Sequence, residues 1–214
     1  MPYSSSSSSA AGTFKGGERT NLWRYIDRNN VRGLNLSNPD SAPETIKDWN
    51  LREDLERFAD SSVDNQVIIH VPFSQNVRLC SVLLKLGTDE TAPSRLRIYA
   101  NQPNIVDFSK AETTKAHFKI KLMQDVPRVV EYPLRTAAFA SINSVSLFIV
   151  RIIDYLGSVT PLTPVLSQSE SLGGKVSRIY YVGFKGEVIP LEKDKDPQIV
   201  GIQRSGSLAG RHGP

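Results

Sequence analysis

The groups in this chain that could do chemistry are three histidines, one cysteine, a scatter of aspartates and a few large aromatics. His70 sits inside the apolar run Val67-Ile68-Ile69-His70-Val71, His117 precedes an alternating stretch, and His212 lies near the C-terminus. Metal ligands recur at short fixed spacings and these histidines do not, so no metal site is expected. A histidine in an apolar run is more often a satisfied, partly buried side chain than a general base. The nearest carboxylate to His70 in sequence, Asp64, is six residues away. Cys80 can neither close an intramolecular disulfide nor run a dithiol cycle by itself. It reads as an unreactive thiol in a strand and points to a reducing, intracellular setting.

Hydrolysis needs a nucleophile, a base and an orienting group brought together, yet no Gly-x-Ser-x-Gly occurs. Asp27, Asp64 and Asp107 each stand in a turn-like stretch, where a carboxylate commonly caps backbone N–H groups. Gly173-Gly174-Lys175 lacks the preceding strand and the spaced glycine of a phosphate loop and reads as a turn. No catalytic residue and no cofactor are therefore expected. Trp23, Trp49, Tyr180 and Tyr181 leave one chemistry open, because exposed aromatics on a β-sandwich can stack on sugars.

The elements that must position these groups read mostly as strands. With 214 residues, 39% hydrophobic and 22% charged, the chain can build one large core. Residues 1–19, rich in serine, and residues 194–214 have little to bury and are expected to be flexible tails. Residues 20–62 are broken by Asn29-Asn30, Asn38-Pro39-Asp40 and Ala42-Pro43, which favours short helical turns. The spacing of Leu51, Leu55 and Phe58 predicts a helix over Asn50–Phe58. From residue 66 the period becomes two. Strands are expected over 66–73, 76–86, 94–100, 118–122, 129–134, 144–150 and 177–184, with Val145, Leu147 and Ile149 on one face and Phe148 on the other. On 94–100, Leu96 and Ile98 should face in while Arg95, Arg97 and Tyr99 face the other way. No helices alternate with these strands, so the pattern argues for an all-β antiparallel sandwich.

Net charge is +4 and the pI about 9.2, but acids and bases are interleaved, as in Glu192-Lys193-Asp194-Lys195-Asp196. That argues against nucleic acid as a partner. No apolar run is long enough to span a bilayer and the N-terminus lacks a secretory pattern, so no membrane association is expected.

Several stretches between residues 22 and 187 are specific when taken in order and in combination. They are Tyr25-Ile26-Asp27-Arg28-Asn29-Asn30-Val31-Arg32-Gly33-Leu34-Asn35, Asp64-Asn65-Gln66-Val67-Ile68-Ile69-His70-Val71-Pro72-Phe73 and Pro93-Ser94-Arg95-Leu96-Arg97-Ile98-Tyr99-Ala100-Asn101. Asp107-Phe108, Glu131-Tyr132-Pro133-Leu134 and Arg178-Ile179-Tyr180-Tyr181-Val182-Gly183-Phe184-Lys185-Gly186-Glu187 complete the set. Together they make the chain resemble the PITH domain family over residues 22–187, and the resemblance implies a jelly-roll-like, galactose-binding-domain-like sandwich spanning 20–193 and a proteasome-associated role. Thioredoxin-like members of that family carry a Cys-x-x-Cys redox domain ahead of this one. Here a serine-rich stretch precedes it, and the chain is expected to be of the stand-alone kind.

Residues 150–168 interrupt the family pattern. Without them Leu147-Phe148-Ile149 would run directly into Ser169-Glu170-Ser171-Leu172-Gly173-Gly174, a strand followed by a turn. The segment reads either as a surface-loop insertion or as a translated, unspliced intron. The function expected is a non-enzymatic interaction module that docks to the proteasome regulatory particle, with an intracellular carbohydrate- or small-ligand-binding module as the alternative. The loops 87–93, 101–116 and 169–176 offer Asp89, Glu90, Asn104 and Lys175 as binding candidates. A monomer in the cytoplasm, with the nucleus as second compartment, is expected.

Overall fold

A computed structural model describes residues 20–102, 104–134, 137–152 and 176–190. Its strands are β1 (Thr20–Asn21), β2 (Arg32–Leu34), β3 (Ala59–Asp60), β4 (Gln66–Leu86), β5 (Arg95–Ala100), β6 (Phe118–Lys121), β7 (Val130–Pro133), β8 (Ile142–Val150) and β9 (Arg178–Val188). Among the described residues one α-helix, α1 (Phe108–Thr113), lies between β5 and β6. Short 3-10 turns, at Trp23–Tyr25, Arg28–Asn30, Pro39–Ser41 and Pro43–Thr45, occupy the proline- and asparagine-rich N-terminal stretch.

These strands pair antiparallel, in the order β1-β9-β4-β8-β5-β6, with β2 and β7 also on β4 and β3 on β9. The strand β4 organises the molecule. Sequence reads it as two strands parted at Pro72–Asn76; the structure makes it one strand of 21 residues. Its first half pairs with β2 and β8, and its second half with β7 and β9. The ladder to β8 is irregular between Pro72 and Val77, where Ser74, Gln75 and Asn76 are exposed. There the sheet curls, and the two halves of β4 pass into two layers of a jelly-roll-like sandwich.

Between the layers lies one apolar core, filled by Val67, Ile69 and Val71 from the first half of β4, Val82 and Leu84 from the second, Val145, Leu147 and Ile149 from β8, and Phe184 from β9. Fully burying such a side chain contributes about 1.5–3 kcal/mol. The expected split of β8 holds: Phe148 faces away from this core. The outer face of the first layer is nonetheless buried, because residues 105–116 fold over it. Ile68, Tyr99 and Phe148 pack there against Val106, Ala111 and Ala116, and the Tyr99 hydroxyl donates to the Ala111 carbonyl at 2.6 Å. So Tyr99 does face away from Leu96 and Ile98, but into a second core. The helix that closes it was not legible as a periodic run. Its marker is Asp107, whose carboxylate caps the Lys110 N–H at 2.7 Å.

Close approach fixes one glycine. At Gly186, where β9 meets both β1 and β4, a Cβ would stand 1.9 Å from the Arg78 carbonyl oxygen.

Candidate interaction surface

Residues 47–58 form a strap tied to the outer face of the second layer. The helix expected over Asn50–Phe58 is absent; a single 3-10 turn at Trp49–Leu51 stands there instead. The aspartates explain the difference. Asp48 accepts from the Asn50 N–H at 2.9 Å, and Asp54 from the Glu56 N–H at 2.8 Å. Carboxylates that capture nearby N–H groups compete with helix propagation.

Two lysines fasten the strap from beneath. The Lys47 side chain is fully buried, and its ammonium donates to the carbonyls of Asp54 (2.8 Å) and Arg57 (2.6 Å) while lying 3.3 Å from the Asp54 carboxylate. Burial pushes the Lys47 ammonium below its usual pKa, with the Asp54 carboxylate opposing that shift. The Glu56 N–H, helped by Arg57 and Lys47, lowers Asp54 to about 2. Lys85, buried on β4, pairs with the Glu53 carboxylate and donates to the Glu53 carbonyl at 3.3 Å. Partial burial raises Glu53, but its bonds from Lys85 and the Val129 N–H outweigh this and its pKa falls below the ordinary value.

Because lysines and carbonyls hold the strap, its apolar side chains are free to face outward. Trp49 is 37% exposed, Leu51 47% and Leu55 55%. The Arg52 guanidinium lies 4.1 Å from the Trp49 ring centroid and the Lys185 ammonium 5.6 Å, which orients the indole. Lys185 in turn donates to Glu131 at 2.6 Å, and the buried Ser81 hydroxyl donates to the same carboxylate at 2.7 Å. At the far end of the strap the Phe58 ring meets the Tyr180 ring edge-on at 5.9 Å. It also takes the Arg178 guanidinium at 4.0 Å, itself fixed by two 2.7 Å bonds to Asp60. A shallow cavity of about 270 Å³ opens beside it, with Asn38, Ser41, Glu44, Glu56, Phe58 and Asp60 in its lining.

Two of the sequence stretches that carry the family resemblance meet at one corner. Asn35, in the left-handed region at φ 58°, donates to the Asp64 carboxylate and to the Gln66 carbonyl (2.7 Å), tying the end of β2 to the start of β4. Residues 12–204 match the PITH domain family. The chain belongs to that family. It is 27% identical to "PITH domain-containing protein 1" of Xenopus laevis over 166 residues, which cover 78% of this chain and 69% of that protein. To the Homo sapiens protein of the same name it is 24% identical over 173 residues, 80% of this chain and 72% of that one. Among solved structures it is similar in fold to the family 32 CBM from C. perfringens NanJ in complex with galactose, at TM-score 0.50 and 7% identity, covering 78% of this chain and 99% of that one. The PITH fold here is thus a jelly-roll-like sandwich of the same architecture as that module.

The PITH loops singled out from sequence do not converge. Asp89 and Glu90 precede β5, at one end of the sandwich. Asp89 has φ 52° and its N–H donates to Asp125 at 2.7 Å, while the Glu90 carbonyl accepts from Arg151. Asn104 is exposed after β5, at the opposite end, and Lys175 lies outside the described residues. So does the 150–168 segment beyond Ile152; Val150 ends β8, and the Ile152 N–H donates to the Ser94 hydroxyl at 2.7 Å.

The strap escaped sequence reading because the helical spacing of Leu51, Leu55 and Phe58 suggested a regular helix there. The signal that could have found it is the density of aspartates at 48 and 54 inside the apparent helix. His70 is half-buried on β4, with Nδ1 2.9 Å from the Ser146 hydroxyl, and burial lowers its pKa. Asp64 accepts from the Gln66 N–H, the capping work its turn implies, whereas Asp27 accepts from the Asn30 side-chain amide and does not cap the turn that follows it. Among the described residues, no three His, Cys, Asp or Glu side chains gather as a metal site.

Proposed function

We propose that this PITH protein is a non-catalytic docking module whose partner is the regulatory particle of the proteasome, engaged in the cytoplasm and nucleus. The observation that carries the reading is the strap: Trp49, Leu51 and Leu55 stand exposed on backbone that buried Lys47 and Lys85 hold in place. Aromatic and aliphatic anchors presented on a rigid support are what protein interfaces concentrate their affinity in. The proteasome as partner follows from the family resemblance.

Binding of the full chain to purified regulatory particle, with Trp49→Ala/Leu55→Ser alongside, tests this. Retention by the native chain and a loss of about tenfold or more in the double variant are expected. A folded chain that retains no regulatory particle overturns the partner, and retention equal in the variant overturns the surface.

The galactose bound by the CBM of similar fold keeps a second reading in view. The cavity beside Phe58 is polar enough for a sugar, but that ring already takes Arg178 on its face and Tyr180 at its edge. Galactose titrated into the protein is expected to release no heat of binding; saturable heat would restore the carbohydrate reading.

A further inference from the structure

At the opposite end of the sheet from the strap's β9 neighbours, β6 closes the strand order among the described residues. Its cross-strand partners are unusual: Arg95 stands opposite Lys121, and Arg97 opposite Lys119. Like charges set directly across a ladder repel. None of the four makes an ion pair with a carboxylate among the described residues. They border a shallow trough of about 390 Å³ running over the β5–β6 ladder. Arg97 is held in position, its guanidinium 5.6 Å from the Phe148 ring centroid and 3.4 Å from the Ala111 carbonyl. Lys119, Lys121 and Arg95 are exposed.

The backbone of β6 adds a second feature. The Leu122 N–H donates to the Ser94 carbonyl at 2.8 Å, and Arg95 faces Lys121 in the register. In an antiparallel ladder the inward-bonding residues alternate, so Ile120 and Leu122 turn their N–H and C=O groups toward β5. Those of Lys119 and Lys121 point off the edge. The opposite face of the same edge carries Phe118 and Ile120, both half-buried.

We propose that β6 accepts an extended segment of a partner protein in which acidic and apolar residues alternate, added as a further antiparallel strand. Alternate side chains of such a strand fall on opposite faces. Its carboxylates would lie along the Lys119–Lys121 row with Arg95 and Arg97 behind, and its apolar residues against Phe118 and Ile120. Main-chain bonds to Lys119 and Lys121 supply affinity and the alternating faces supply specificity. The same lysines repel a second copy of β6, which separates this edge from self-pairing. This surface is distinct from the strap, and the inference stands or falls independently of proteasome docking.

The test uses the full chain and a labelled peptide of alternating Glu and Val, followed by fluorescence anisotropy at roughly 0.15 M salt. Comparators are a peptide of the same composition with the glutamates in one block and a single-stranded oligonucleotide of equal length. The alternating peptide is expected to bind about tenfold or more tightly than either. Lys119→Glu/Lys121→Glu should abolish that binding and instead accept an alternating Lys-Val peptide. Lys121→Pro removes only an outward N–H from the backbone, so it should leave the urea midpoint unchanged while weakening the peptide more than Lys121→Ala does. Equal binding of the blocked peptide, tighter binding of the oligonucleotide, or undiminished binding by the charge-reversed variant would overturn the proposal.

Discussion

Between the two layers, Ile69, Val82, Leu147 and Phe184 are fully buried among apolar neighbours, whereas at the strap the buried positions belong to Lys47 of the strap and Lys85 of β4 beneath it, and the apolar side chains Trp49, Leu51 and Leu55 face water. The first arrangement is driven by removing apolar area from water and is insensitive to small changes of geometry. The second depends on a few directed bonds, each modest while made and costly when one partner is left behind. The sheet should therefore carry global stability, and the strap should hold a surface in place.

The largest expected effect is in the core. Phe184 is fully buried and meets Phe73 edge-on at 5.5 Å. Phe184→Ala should cost about 3–5 kcal/mol in urea unfolding, from lost transfer free energy and the cavity left behind. A cost below about 1 kcal/mol would mean that the two layers are not held by this core. Next is Lys47→Met, which keeps the aliphatic stem but strands the carbonyls of Asp54 and Arg57 without their donor. We expect a loss of about 1–3 kcal/mol, with amide exchange accelerated over residues 47–58 and not over β4 or β8. Uniform acceleration would show that the strap and the sheet open together.

The same contrast decides what was legible in the sequence. Strands β5, β6 and β8 could be read because period-two alternation of apolar residues follows from which face is buried. The first half of β4 could be read as an apolar run and the second as an alternation, but the passage of one strand through both layers could not, since nothing local distinguishes a bend from a turn at Pro72–Asn76. The strap misled in the other direction. Leu51, Leu55 and Phe58 keep helical spacing by chance, while the ties that shape the segment run from side chains to backbone and leave no periodic trace. Tyr99 was assigned to the correct face, but the helix that buries it had to be seen. The candidate site was less legible: loops are a fair guess for binding residues, Asp89 and Asn104 stand at opposite ends of β5, and the exposed anchors lie in a segment that had been read as a helix.

A smaller effect sharpens the division of labour. Leu55 is mostly exposed, so Leu55→Ser should change unfolding free energy by no more than about 0.5 kcal/mol while weakening the binding of regulatory particle. If stability falls as in a core variant, Leu55 packs under the strap in solution and the docking surface must lie elsewhere.

The smallest effect separates the two regions by pH. His70 belongs to the sheet, paired in register with Ser146 on β8 and Arg32 on β2, and burial holds its pKa below the usual 6.5. Protonation thus favours the unfolded chain, so its stabilising contribution is complete above about pH 6.5 and is lost as the pH falls through and below that value. Asp54 belongs to the strap and titrates at about 2 against an ordinary 3.8. Its contribution is complete above about pH 4 and disappears as the pH falls towards 2. In a Trp23→Phe background, where Trp49 is the remaining tryptophan, the urea midpoint should decline between pH 7.5 and 5.5 without a change in native Trp49 emission, and His70→Asn should flatten that decline. The emission should change only between about pH 4 and 2, in a step that Asp54→Asn removes. A Trp49 response in the upper window would show that the strap follows the sheet, and the contrast between apolar core and polar fastening would then fail at the point where the docking reading depends on it.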